Sequence, residues 1–282
     1  MAAGDVITIV EDNVAKKGVY FDGTDDYILV DAHAVERVAA KDTTGTYTAW
    51  VYKNTAANST TILSAGDNDN TDEYLNFDLQ GTASTAANLR ITLKQGGAIQ
   101  FQVIASAVIT PRTWTHVAVV QNGTQPVLYV NGAAVTAVNN IATDLTMWYD
   151  ELANCDKFAI GVLESNNTHT SDFAGAIGQV KYWSRALSAA EIYKDFNGES
   201  VSTAEFPDST YLRLNITMND NGTTDSGAGA DNGTLKGDAH YGGYISAHSM
   251  ALERNCSGHA AERSTTMQIS PSKLQTVIVR GD

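Results

Sequence analysis

The chain has 282 residues, of which 32 are acidic and 18 basic, for a formal net charge of −14. A strongly acidic chain with no Lys/Arg cluster repels phosphate backbones, which excludes nucleic acid as a partner, and no apolar run approaches the roughly 18 residues of a membrane span. Charged residues make up only 18%, against about 25% in an average soluble protein, so Asn, Thr, Ser, Gln and Gly supply much of the polar surface.

The N-terminus, MAAGDVITIVEDN, has no basic region followed by an apolar core, so no Sec-type signal peptide is expected. Within it Val6–Val10 is a strand candidate. VYFDG (19–23), YILV (27–30) and YTAWVY (47–52) read as the next strands. LRITLKQ (89–95) and IQFQV (99–103) alternate apolar and polar residues, and Gly96-Gly97 between them suits a tight hairpin. THVAVVQ (115–121) and VLYVNG (127–132) form the next pair, and Asn131-Gly132 signals a further turn into 133–135. FAIGV (158–162) and IGQVKYW (177–183) follow. Ser188-Ala189-Ala190-Glu191 is a capping box that opens a helix of about two turns, with Ile192, Tyr193 and Phe196 as its apolar side and Asn197-Gly198 as its end. YLRLNITM (211–218) is a strand, residues 219–237 are turn chemistry, 246–270 are unpatterned, and LQTVIVR (274–280) is a last strand candidate. Many short strands with Gly/Asn/Asp turns predict an all-β, two-sheet antiparallel sandwich of jelly-roll type with one short surface helix. The predicted division is an N-terminal arm (1–17), the sandwich (18–245) and a C-terminal arm (246–282). Cys155 and Cys256 are no disulfide framework and read as buried free thiols before a bridge.

Four motifs make the chain resemble the laminin-G-like, concanavalin-A-like lectin/glucanase sandwiches of bacterial and viral surface proteins. They are GVYFDGTDDYILV (18–30), TPRTWTHVAVVQNGTQPVLYVNG (110–132), FAGAIGQVKYWSRALSAAEI (173–192) and YLRLNITMNDNGTTDSGAGADNGTLKG (211–237). In the family the last motif usually comes before the FDG strand. Its place here implies a permuted order in which 211–237 completes the sheet. Chain chemistry accounts for these residues as architecture too: Asp22-Gly23 and Asp25-Asp26 suit a turn, and Trp114 and His116 share one face of a central strand.

Catalytic chemistry is not expected. Laminarinase-type relatives need Glu-x-Asp-x-x-Glu on one strand face, and the chain has none. Asp72-Glu73 and Asp150-Glu151 are adjacent, so on a strand they would point to opposite faces. Neither a Gly-x-Ser-x-Gly elbow nor a phosphate loop occurs. For metal, GDNDNTDE (66–73) offers Asp67, Asp69 and Asp72 at spacings that suit calcium. Asp72 stands where an EF-hand needs Gly, however, and Asp78 where it needs Glu, so a solvated acidic loop is the stronger reading. The resemblance implies one structural calcium at the sandwich rim, for which Asp22, Asp25, Asp26 and Asp172 are the candidates. His248, Cys256 and His259 are read as incidental before zinc ligands. The resemblance also implies glycan binding through rim loops or the concave face. Tyr74, Trp148, Tyr149 and His169 are the candidate contacts, and each reads equally well as a packing aromatic. The Arg280-Gly281-Asp282 terminus and the Asn-x-Ser/Thr sequons (Asn58, Asn122, Asn166, Asn215, Asn221, Asn232, Asn255) are discounted.

Two functions remain. The first is a non-enzymatic virion structural protein, a phage-type head decoration or tail component made in the host cytoplasm and displayed on the particle. Its arms would contact other copies of itself or other virion proteins, and it could also bind host-surface glycans. The alternative is a stand-alone or exported carbohydrate-binding lectin or adhesin at the cell surface.

Overall fold

The computed structural model describes residues 17–82, 85–218 and 223–243. The strand candidates 6–10 and 274–280, both expected arms apart from Lys17, and His248, Cys256, His259 and Arg280-Gly281-Asp282 lie outside the described residues. Residues Lys17–Gly242 form one compact unit.

The first elements are β1 (Lys17–Asp22), β2 (Tyr27–Leu29), helix α1 (Asp31–Ala40), β3 (Gly45–Lys53), β4 (Thr60–Gly66), β5 (Tyr74–Gln80) and β6 (Ala87–Gln95). Next come β7 (Ala98–Ile109), β8 (Thr115–Gln121), β9 (Pro126–Val130), β10 (Ala133–Ala134), β11 (Val138–Ala142), β12 (Lys157–Ile160), β13 (Leu163–Ser165) and β14 (Thr168–Thr170). The rest are β15 (Ala174–Trp183), helix α2 (Ala189–Phe196), helix α3 (Asp208–Tyr211), β16 (Leu212–Ile216), β17 (Thr234–Lys236) and β18 (His240–Gly243). Sheet I has the order β10-β9-β8-β3-β15-β1-β18, and sheet II the order β11-β7-β6-β5-β4-β12-β2-β17. Two strands share one edge of β15: β1 takes its first half, with Val19 opposite Ile177, and β16 its second, with Val180 opposite Ile216. Segment 211–237 thus gives β16 to sheet I and β17, paired to β2, to sheet II.

The described pairings are antiparallel, as strands of period-2 alternation joined by short turns require. Leu75, Phe77 and Leu79 on β5 and Leu89, Ile91 and Leu93 on β6 face inward and are fully buried. They meet Tyr47, Ala49 and Val51 of β3 and Val117 and Val119 of β8 in one core between the sheets. Burying such side chains contributes roughly 1.5–3 kcal/mol each. At the β9–β10 turn Asn131 and Gly132 have φ of 48° and 79°, the left-handed pair that a two-residue hairpin needs.

Two helices join the one expected from the sequence. The short α3 precedes β16. α1 lacks a side-chain N-cap, and its Asp31 carboxylate instead accepts from Lys157 Nζ (3.2 Å) and the Phe158 N–H (3.3 Å). It ends at Lys41 in the left-handed conformation. It buries His33, Ala34 and Arg37. There His33 Nε2 meets the Tyr47 hydroxyl (2.9 Å), and Arg37 Nη1 donates to Asp42 (3.1 Å). No helix of the described residues is long and apolar enough to cross a membrane.

α2 is built as its capping box predicts: Ser188 accepts from the Glu191 N–H, and the Glu191 side chain returns to the Ser188 N–H (2.8 Å). It lies on the outer face of sheet I. Ile192 packs there with Ala118, Tyr129 and Trp183 in a second apolar cluster, while Tyr193 turns outward and is 56% exposed. The tie is ionic. Asp195 accepts from His116 Nε2 (3.1 Å) and Lys181 Nζ (2.6 Å), and its side chain is 3% exposed. Although burial opposes ionisation, these two partners hold the carboxyl down at about 2. A carboxyl held below its ordinary value stabilises the fold fully above about pH 4, and that contribution fades as pH falls through 2. Asp195→Ala leaves His116 and Lys181 facing each other unpaired, and chemical denaturation should register a loss of about 3–5 kcal/mol at pH 7. The loss should shrink towards pH 2; a pH-independent deficit would mean that packing, not charge, anchors the helix.

Candidate functional site

The phase of alternation that sends Leu75, Phe77 and Leu79 inward turns Tyr74, Asn76, Asp78 and Gln80 outward on sheet II. Register places Thr92 opposite Asn76, Gln102 opposite Thr92, Arg90 opposite Asp78 and Lys94 opposite Tyr74. A ladder of amides and hydroxyls therefore crosses five strands. Thr61 Oγ1 donates to Asn76 Oδ1 (3.0 Å), Gln102 Nε2 to Thr92 Oγ1 (3.3 Å), and Asn140 Nδ2 to Gln102 Oε1 (2.7 Å). Beside it Arg90 grips Asp78 in a two-pronged pair, Nε to Oδ1 at 2.9 Å and Nη2 to Oδ2 at 2.6 Å. Burial pushes the Asp78 carboxyl up, and the Arg90 guanidinium pulls against that rise. Arg90 Nη1 has no hydrogen-bond partner among the described residues. Lys94 donates to the Thr71 carbonyl (2.8 Å) and stands 5.8 Å from the Tyr74 ring centroid.

One side of this face is walled. The segment 161–173, with the β13–β14 hairpin, crosses the outer surface of β4. Ser64 Oγ donates to the Val162 carbonyl (2.8 Å), the Glu164 N–H returns to Ser64 Oγ (3.1 Å), and the Thr61 N–H donates to the Ser171 carbonyl (2.8 Å). Within the hairpin His169 pairs across to the buried Glu164 (2.5 Å) and its ring lies 4.3 Å from that of Tyr27. Tyr74 thus sits on the polar face, where Thr61, Asn76, Asp78 and Thr92 are buried and Tyr74, Arg90, Lys94 and Gln102 are half-buried, and His169 on the wall beside it.

Trp148 and Tyr149 do not join them. Both are fully buried. Trp148 Nε1 donates to the Tyr182 hydroxyl (3.2 Å), and the Tyr149 and Tyr47 hydroxyls meet at 2.5 Å. The segment that carries them is irregular but folds inward, and its two large rings fill the core rather than a loop surface. Trp148→Ala should lower stability by about 3–5 kcal/mol in denaturant unfolding; a change well under 1 kcal/mol would return Trp148 to the surface.

The acidic loop 66–73 also departs from a calcium site. Asp67 Oδ1 accepts from the Asp69 N–H (2.8 Å), Asp72 Oδ2 from Asn70 Nδ2 (3.0 Å), and Glu73 holds the Asn154 N–H (2.8 Å). Asp67, Asp69 and Asp72 cap their own turn and do not converge. Among the described residues the three acids that do converge are Asp22, Asp25 and Asp26, whose oxygens lie within 4.8 Å of one another. Asp26 is 1% exposed. Its Oδ2 accepts from the Asp22 N–H (2.8 Å), and its Oδ1 has no hydrogen bond of proper geometry, although the Asp238 amide approaches the carboxylate. Burial, with Asp22 and Asp238 adding repulsion, raises its pKa. At Gly237 (φ +69°) a β-carbon would stand 2.5 Å from Asp26 Oδ1 and 2.6 Å from the Asp25 carbonyl. A buried orphan carboxylate oxygen beside a backbone carbonyl, with two more acids, fits a hard cation. Asp172 is near enough to feel Asp22 and Asp25 but stands outside the converging three. Cys155 is buried as a free thiol.

The family described as the concanavalin A-like lectin/glucanases superfamily matches residues 22–193. The chain belongs to this superfamily. No curated protein sequence matches it. Among solved structures it is similar to the CBM40 domain of the Ruminococcus gnavus IT-sialidase bound to α2,3-sialyllactose, with 16% identity, a TM-score of 0.53 and coverage of 64% of this chain and 96% of that one. It is also similar to part of the leech intramolecular trans-sialidase (18%, 0.51, 71% of this chain and 30% of that one). A third is the heptameric SAP-like pentraxin of Limulus polyphemus (12%, 0.50, 81% and 95%). At these identities the likeness is one of fold.

The residues that make the polar face were visible as the other half of a pattern. In LRITLKQ the apolar phase locates the core, and the polar phase, Arg90, Thr92 and Lys94, is the floor. Asn76, Asp78 and Gln102 carry the same signal. What the sequence lacks is the cross-strand register that brings them together.

Proposed function

We propose that the protein is a carbohydrate-binding module of the superfamily, non-catalytic, with its ligand on the outer face of sheet II. The observation that carries the reading is the amide–hydroxyl ladder Asn76–Thr92–Gln102–Asn140 beside Arg90. Neutral amides and hydroxyls offer each sugar hydroxyl both a donor and an acceptor. Arg90 Nη1 adds a charged donor, and the Tyr74 ring an apolar surface for a sugar C–H face. The similarity of fold to a sialidase-associated carbohydrate-binding domain seen with sialyllactose supports the same direction. The virion-component reading rests on the terminal segments and on composition, and no described contact favours it.

A glycan array probed with the full chain, containing neutral and sialylated oligosaccharides, should give hits. Arg90→Ala should weaken the strongest hit about tenfold or more by calorimetry, since a hydrogen bond to a charged group contributes about 1.5–3 kcal/mol, and Gln102→Ala about twofold to tenfold, since a neutral one contributes about 0.5–1.5 kcal/mol. A silent array, or affinities untouched by both variants, would refute this site.

Calcium belongs to the same reading. Asp22, Asp25 and Asp26 would hold it, with the Asp25 carbonyl as a further oxygen. Millimolar calcium should raise the melting temperature of the chain, and Asp26→Asn should remove the response. A melting curve indifferent to calcium and to chelator would strike the cation from the account.

A further inference from the structure

The two sheets end together on one side of the sandwich. There β9 and the two-residue β10 border sheet I, and β7 and β11 border sheet II. No Asp, Glu, Lys, Arg or His occurs from Gln95 to Pro111 or from Val117 to Thr143, so these four strands carry no charged side chain at all. Sheet borders are ordinarily guarded by charge or by cover. The other border of sheet II carries Lys236 on β17. Here β11 pairs with β7 alone among the described strands, and its sequence is Val-Asn-Asn-Ile-Ala, exposed but for the half-buried Ile141. Val138 is 60% exposed, the most exposed large apolar side chain among the described residues, and it stands opposite the half-buried Ile104 of β7. Ala133 and Ala134 are exposed on the sheet I border.

Between the two borders a slot of about 230 Å³ reaches the core. Val103, Leu128, Val135 and Ala137 line it with Gln125 and Asn139, and no lining residue is charged. Charge decides what can cover such a side. Two copies of a chain with net charge −14 repel each other on most approaches, and they can come close where neither presents charge. An acidic or basic partner would find no counter-charge on these strands. The amides of Gln125, Asn139 and Asn140 carry donors and acceptors alike, so the side is complementary to itself, as a two-fold contact requires. Its size agrees. β7 is 12 residues long, about 40 Å at the rise of an extended strand. Two sheets about 10 Å apart, with their outer side chains, are on the order of 20 Å deep. This side therefore offers on the order of 800 Å², the share that each partner gives to a stable interface.

We infer that this uncharged side is the contact between two copies of the chain, related by a two-fold axis close to β11. The border strands of the two sheets II then run antiparallel, and the unpaired edge of each β11 faces the other. Val138 and Ile104 leave water near the axis, and the slot between the sheets is closed off by the second copy. The contact does not depend on the sugar proposed for sheet II.

Sedimentation equilibrium of the full chain, from low to high micromolar concentration, should show monomer and dimer in exchange. Added sodium chloride should tighten the dimer, because it screens the repulsion between two bodies of like charge. Val138→Asp sets like charges on both sides of the axis and should weaken the dimer at least about tenfold, with the melting temperature unchanged. Ala134→Asp, on the sheet I half of the same side, should act in the same direction. Val138→Lys alone should also stay monomeric, yet an equal mixture of the Val138→Asp and Val138→Lys chains should associate, a recovery that a misfolded variant does not give. Val35→Asp alters an equally exposed position on α1, whose Asp31 bonds to β12 toward the other border of sheet II, and should leave the equilibrium as it is. A monomer at every concentration, a dimer that salt weakens, a dimer indifferent to Val138→Asp and Ala134→Asp, one broken equally by Val35→Asp, or a mixture that stays monomeric would each overturn the proposal.

Discussion

The arrangement depends on one constraint: every strand of the sandwich must give the same phase of its alternation to a shared core. Once Leu75, Phe77 and Leu79 are committed inward beside Leu89, Ile91 and Leu93, the chain has no freedom over what the neighbouring residues do. Asn76, Asp78, Arg90 and Thr92 must point outward, and antiparallel register must set them side by side. A slip of one residue would exchange the two sets and bury an ion pair where leucines belong. The polar face is thus held in place by the apolar one, with no separate device to position it.

The two sheets spend their outer faces differently. Part of sheet I is roofed by α2, and the roof is fastened by charge at Asp195 and by packing at Ile192. Sheet II leaves Tyr74, Arg90, Lys94 and Gln102 half-buried on its outer face and walls one side with segment 161–173, tied to Ser64 and Thr61. In both cases a short accessory element rests on a regular strand array. What differs between the two surfaces is which side chains the array presents.

Much of the fold was legible in the chain because its signals are local. The hairpins at Gly96-Gly97 and Asn131-Gly132, the capping box at Ser188 and the central strand 115–121 each declare themselves within a few residues. α1 was not legible: it lacks a side-chain cap, and Asp31 is engaged by Lys157 and Phe158 some 126 and 127 residues away. The site was legible in parts. Tyr74 could be placed beside the face, and Asp22, Asp25 and Asp26 as a cluster, because a single turn contains them. Trp148 and Tyr149 misled, since an irregular segment was taken for a surface one. Asp67, Asp69 and Asp72 read as a solvated acidic loop before a calcium site, and their carboxylates bond within their own turn. Arg90 opposite Asp78 and Gln102 opposite Thr92 are consequences of pairing, which no short stretch of sequence contains.

The strands supplied by residues 211–237 bear on how the molecule is made. β16 completes an edge of sheet I and β17 an edge of sheet II, yet both are the work of a late stretch of polypeptide. A nascent chain leaving the ribosome would hold most of its apolar residues before either border strand existed. Such a half-built sandwich exposes two unpaired rims at once, the kind of surface that invites pairing with a stranger. Nascent-chain length, more than the strength of any one contact, would then set when this protein becomes safe from aggregation.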